Sequence, residues 1–183
     1  IWAYLTTKLG MSEAAAAGVM GNMEQESGCD INLHQSGGSA YGLCQWDGGR
    51  KSELMRRSGY NTLAVQLEYL SEELPSQYWK KSGTINDKDG KSYSYSSMTY
   101  EQFKALTDVA TATIKFEAAF ERAGKPMMAK RISYAKRFYE MFTGKTYEID
   151  PSIGVGSSSD DSSSSSSSSS DALFTNPLNI VSD

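Results

Sequence analysis

A serine tract limits how much of this chain can fold. From Ser157 the sequence runs SSSDDSSSSSSSSSD, behind Pro151, Gly154 and Gly156. So polar a stretch cannot bury enough apolar surface to offset its ordering entropy. Residues 151–171 are therefore expected to form a flexible linker, and residues 1–150 a single domain of ordinary size. Residues 172–183 include Leu173, Phe174, Leu178, Ile180 and Val181. They are too few to fold alone, and read either as the start of a further, partner-docking segment or as a frayed terminus. The tract also sorts the charge. Of 22 acids, Asp160, Asp161, Asp171 and Asp183 lie beyond residue 156 with no Lys or Arg among them, leaving 18 acids against 18 bases before it, so the net charge of −4 belongs to the tail. A neutral body argues against nucleic acid or an anionic membrane as partner, since both select clustered cations. No apolar run reaches the ~18 residues of a membrane span. The first residue is Ile1 rather than Met, which reads as a missing start or an excision from a longer protein, so the lack of a signal segment decides nothing.

The body reads as mainly α. Ser12 caps a helix through the alanines 14 to 17 to about Ser27, where Gly28 supplies the stop. A second amphipathic helix is expected over 63–74, with Leu63, Leu67, Leu70 and Leu74 at helical spacing. Thr99 and Gln102 fit a capping box that opens the next helix, and a further segment from about Thr107 to Ala123 buries Ile114, Phe116 and Phe120. Pro126 opens a final helix to about Phe142, ended by Gly144. Two Gly-rich stretches, 35–50 and 82–97, read as irregular, the second as a hairpin turning at Asp89-Gly90. Asp87 and Asp89 there resemble part of a calcium loop, but a third acidic ligand and the closing Glu are missing, so no metal is expected.

Glu26 is the residue with the most chemical content. It lies three residues after Met23, so it continues the stripe Ala16, Val19, Met20, Met23, whereas Glu24 points to solvent. It also occupies the last turn, where unpaired carbonyls disfavour a negative charge. Burial and helix end both push toward a carboxyl that keeps its proton, the form a general acid needs. A Glu at a helix end that simply reaches water is the plainer alternative.

The segments GVMGNMEQES and YGLCQWDGGR together resemble the phage tail lysozyme family, relatives of goose-type lysozymes and lytic transglycosylases. That family carries G-x-x-G-N-x-x-x-E-S and then G-x-x-Q-W-x-x-x-R, matched here by Gly18, Gly21, Asn22, Glu26, Ser27, Gly42, Gln45, Trp46 and Arg50. Phe116-Glu117 to Phe120-Glu121-Arg122, followed by Pro126, is similar to its late helix. The resemblance implies a lysozyme-like helical domain with one or two small hairpins. It also implies that Glu26 protonates the β-1,4 glycosidic oxygen between N-acetylmuramic acid and N-acetylglucosamine in peptidoglycan, because an alkoxide is a poor leaving group. Tyr41, Gln45, Trp46 and Asp47 would line the groove, Gln45 bonding sugar substituents and the aromatics stacking on sugar faces, although Trp46 could equally be core. No cofactor is implied, since acid catalysis on an acetal needs only protons and water. The setting implied is a wall-opening module of a phage tail or mobile-element protein, acting on the virion side or outside the cell, although a secreted autolysin or a silent glycan-binding module fits the same features.

The second carboxylate stays open. Glu117 and Glu121, one helical turn apart, could each approach Glu26, Glu121 could instead pair with Arg122, and Asp47 is a third candidate; without a second carboxylate the muramic 6-hydroxyl would attack C1, giving a lytic transglycosylase. Cys29 and Cys44 flank the two motifs and could form a disulfide or, as is slightly favoured, remain free thiols. A Cys-His pair using His34 is disfavoured because neither partner has an activating neighbour.

Overall fold

A computed structural model describes residues 1–154; the stretch read as linker beyond Gly154, and the apolar tail at 172–183, lie outside the described residues. After a π-helical turn at Tyr4–Lys8 come α1 (Glu13–Ser27), α2 (Gly48–Met55) and α3 (Leu63–Glu73), the hairpin strands β1 (Gly83–Asn86) and β2 (Ser92–Tyr95), then α4 (Tyr100–Lys104), α5 (Val109–Phe116) and α6 (Met128–Thr143). The described residues are 51% helix with a single two-stranded antiparallel sheet, the mainly α class the sequence indicates.

Helix α1 is the axis of the fold. Ser12 accepts from the Ala15 amide at 3.0 Å, and Gly28 ends the helix at φ +63°. The expected one-sided stripe is not what forms: every residue from Ala14 to Met23 is buried, because α5 and α6 both pack on α1 while Ala15, Ala16, Val19, Met20 and Met23 join the main apolar core. Small residues make that approach possible. A Cβ on Gly18 would lie 2.8 Å from the backbone of Ala112 and Thr113, and one on Gly21 would lie 2.6 Å from the Arg131 carbonyl.

Four local expectations need correction. The irregular stretch 35–50 gives way at Gly48 to α2, whose cap is Asp47, accepting from the Gly48 amide at 2.7 Å; two glycines and a polar run gave no helical period to read. The segment 107–123 is regular only to Phe116. Glu117–Glu121 then widens into a π turn closed by a 2.7 Å bond from the Arg122 amide to the Glu117 carbonyl, with Arg122 left-handed at φ +53°. The last helix starts at Met128 rather than at Pro126, because Met127 is left-handed and the Met128 amide donates to Asp87 Oδ2 at 2.6 Å. Asp87 thus serves as a remote helix cap. Finally, residues 151–154 are not loose: Ile153 packs with Ile85, Tyr93 and Ile132, and Gly154 fits under the Tyr93 ring. The capping box at Thr99 and Gln102 and the 83–95 hairpin form as expected.

Candidate active site

A cavity of about 690 Å³ opens between the C-terminal end of α1, the 40–47 loop and the π turn, and is lined by Glu26, Cys44, Gln45, Asp47, Arg50 and Glu121 among others. Three carboxyls, Glu26, Asp47 and Glu121, therefore face one space, in different surroundings.

Glu26 does not sit against apolar groups without a counter-charge. Arg131 of α6 donates from Nη2 to Glu26 Oε1 at 2.5 Å, and the Glu26 side chain keeps 19% of its exposure against 2% for Arg131. Arg131 is spent entirely on this corner. Its Nε donates to the Pro126 carbonyl at 2.5 Å, and Nη1 donates to Asn22 Oδ1 at 3.0 Å. Asn22 in turn donates from Nδ2 to the carbonyls of Gly18 and Thr113, at 2.8 and 3.1 Å. One network thus ties α1, α5 and α6 together and fixes where Glu26 Oε1 lies. Among the described residues nothing donates to Oε2, which is left for the cavity.

Glu121 is the opposite case. Its Oε1 is buried without a hydrogen-bond partner. Burial, and next the charge of Glu26, push its carboxyl well above the usual range, toward the neutral form, against the opposing pull of Arg131 and Arg50. The suggested Glu121–Arg122 ion pair does not form; the Arg122 guanidinium lies 4.6 Å from the centre of the Tyr78 ring. Glu117 is also placed differently from expectation. It is 2% exposed, accepts from the Ala123 amide at 2.9 Å, and faces a neighbouring groove instead of the Glu26 cavity.

The loop contributes framework more than surface. Trp46 is wholly buried, donates from Nε1 to Glu73 Oε2 at 2.8 Å and packs on Tyr69. Tyr41, 2% exposed, is enclosed by His34 and Tyr60 and donates to Asn32 Oδ1 at 3.1 Å. Neither ring can stack on a sugar, which corrects that expectation for both. Gln45, left-handed at φ +44°, does line the cavity, but its Nε2 is committed to the carbonyls of Leu33 and Gly42 at 3.1 and 3.0 Å. Asp47 is exposed at the rim. Hydrogen bonds from Ser39 and the Gly48 amide hold its carboxyl below the usual range, so it is ionised. Arg50 grips Glu73 with two bonds of 2.7 and 2.9 Å and lies 4.4 Å from the Phe120 ring centre.

Both cysteines are free thiols. Burial, then Glu24, pushes the Cys29 thiol up to about 12, and burial raises Cys44 well above its ordinary value. Neither is a nucleophile, and His34 is occupied with Tyr41.

Glu26, Gln45 and Arg50 of the motifs converge on one carboxyl-lined cavity in a helical frame, and residues 1–142 match the phage tail lysozyme family. The chain belongs to that family. No curated protein matches it. Membership makes the fold lysozyme-like and places the chain among peptidoglycan-lytic, lysozyme-type glycosidases, whose setting is the virion or the bacterial cell wall. No helix among the described residues is long and apolar enough to cross a membrane.

Much of the family's pattern is now explained by packing. Gly18 and Gly21 admit neighbouring helices, and Ser27 donates from Oγ to the Leu43 carbonyl at 2.9 Å, tying the acid's helix to the loop. Gly42, at φ +77°, leaves room for Gln66, which accepts from the Leu43 amide at 3.0 Å. Arg131 lies outside those motifs. Its one sequence signal is position: with Met128, Ile132 and Ala135 buried, residue 131 falls on the covered face of α6.

Proposed function

We propose that the protein cleaves the β-1,4 bond between N-acetylmuramic acid and N-acetylglucosamine, with Glu26 delivering the proton to the glycosidic oxygen. The observation that supports it is the shared cavity, in which Glu26 Oε1 is held by Arg131 and Oε2 is unclaimed. The glycosidic oxygen takes the Glu26 proton as its bond to C1 breaks. The resulting carboxylate then receives the proton of whatever attacks C1, so one residue serves as acid and then base. Glu121 is assigned a supporting role: sharing the cavity with an ion-paired Glu26, its raised carboxyl holds the proton that Glu26 passes on to the glycosidic oxygen, and in that form it is no nucleophile. In a hydrolytic reaction with a separate base, Asp47, ionised at the rim, takes the water proton in place of Glu26.

The neutral state of Glu121 favours a second reading, in which the muramic 6-hydroxyl attacks C1 and the products carry anhydro ends. Attachment to a phage tail or another wall-processing protein is part of the same proposal. Turbidity clearing of purified walls by wild type and by Glu26→Gln tests the glycosidase; equal clearing refutes it. Wall binding without released fragments over long incubation would instead favour a silent binding module. Reducing ends against anhydromuramic products, read by mass spectrometry, separate hydrolase from transglycosylase.

A further inference from the structure

A second groove, about 330 Å³, adjoins the Glu26 cavity: Ala123 and Gly124 line both, so the two spaces meet across a two-residue lip. Beyond the lip the groove is walled by Asn86 and Tyr95 of the hairpin and by Glu117 and Arg122 of the π turn. Its charge is unbalanced. Arg122 makes no ion pair among the described residues and is propped on the Tyr78 ring. Lys125, on the cavity side of the lip, is also unpaired among them. Of the acids nearby, burial pushes the Glu117 carboxyl up toward its neutral form, and Asp87 is bound to the Met128 amide. Anionic groups thus meet a fixed cation on a wall whose one carboxyl, Glu117, is already engaged by the Ala123 amide at 2.9 Å.

We infer that this side groove binds the stem peptide carried by the muramic acid at the scissile bond, with Arg122 pairing a peptide carboxylate. This rests on the glycosidase reading. The lactyl substituent leaves the sugar sideways from the strand axis, so a cleft that holds muramic acid beside Glu26 needs a lateral exit. The Ala123-Gly124 lip is such an exit, and Gly124 presents no side chain across it. An acidic peptide also fits the chemistry beyond the lip, where the Asn86 amide can meet its backbone and the guanidinium its carboxylate.

The test compares kcat/KM on glycan strands bearing their stem peptides with that on the same strands stripped by an amidase. Wild type should prefer the peptide-bearing strands by about fivefold, the range of one partly exposed charge pair. Arg122→Gln should bring that ratio to near one, and Arg122→Lys should keep most of it. A wild-type ratio of one, or an unchanged ratio in Arg122→Gln, overturns the inference. If neither substrate is cleaved, the glycosidase reading falls by itself. Calorimetric binding of a peptide-bearing muropeptide then decides the groove, with equal affinities for wild type and Arg122→Gln counting against it.

Discussion

Replacing Arg131 by Met tests whether the Asn22–Arg131–Glu26 network is the keystone of the site. The substitution keeps much of the aliphatic stem and removes the donors to Glu26, Asn22 and Pro126. Breaking a buried ion pair from one side costs ~3–5 kcal/mol, and the residual 19% exposure of Glu26 argues for the lower end, about 3 kcal/mol. That is a large share of the ~5–15 kcal/mol of a typical domain, yet leaves a folded protein at room temperature. For about 150 residues it lowers Tm by roughly 6–12 °C. Urea unfolding of wild type, Arg131→Met, Glu26→Gln and the double variant completes a cycle whose coupling should reach ~1–3 kcal/mol. A loss below about 1 kcal/mol in Arg131→Met, or strict additivity in the double variant, would show that the pair holds nothing together.

Trp46→Phe should cost ~1–3 kcal/mol by leaving Glu73 Oε2 without its indole donor, while KM for soluble glycan stays within twofold of wild type; a large rise in KM with unchanged stability would restore a stacking role. Gly21→Ala should destabilise by ~1–3 kcal/mol or more, because the new methyl meets the Arg131 carbonyl at 2.6 Å, and thermal unfolding that matches wild type would contradict the helix contact. Glu121 supplies a pH signature. Its folded-state value is raised, so its contribution is fully present below the unfolded value of about 4.3 and is lost as pH rises through the folded one. The stability of wild type relative to Glu121→Gln should therefore fall from pH 4 upward in urea titrations, and parallel curves would refute the buried neutral carboxyl.

The helices that the sequence discloses are those with local stop and start signals: Ser12 and Gly28 for α1, Thr99 with Gln102 for α4. What it conceals depends on partners far along the chain. Met128 becomes the first residue of α6 because Asp87, 41 residues earlier, accepts its amide proton. The π turn at Glu117–Glu121 depends on a left-handed Arg122, and no residue in EAAFER announces one. That turn also decides which acid reaches the cavity, so the equal standing of Glu117 and Glu121 could not be resolved from spacing. Trp46 and Tyr41 show the same limit, since an aromatic beside a cleft motif reads alike whether its ring faces sugar or Tyr69.

The network around Glu26 changes what the family motif means. Of its positions, Gly18, Gly21, Asn22, Ser27, Gly42, Trp46 and Arg50 each have a packing or hydrogen-bonding duty that would persist in a protein with no activity at all. Their substitution should lower clearing of walls by lowering the folded fraction, and stability and activity should fall together. Glu26 differs because Glu26→Gln keeps the shape and an acceptor for Arg131 while removing the transferable proton. Its activity loss, ~10²–10⁴-fold for a general acid, should far exceed what its stability change can produce through the folded fraction. Plotting activity loss against stability loss across these positions therefore separates the residue that transfers a proton from those that hold it in place. If Glu26→Gln falls on the same line as Gly21→Ala and Trp46→Phe, the carboxyl is one more structural member and the proton must come from elsewhere in the cavity.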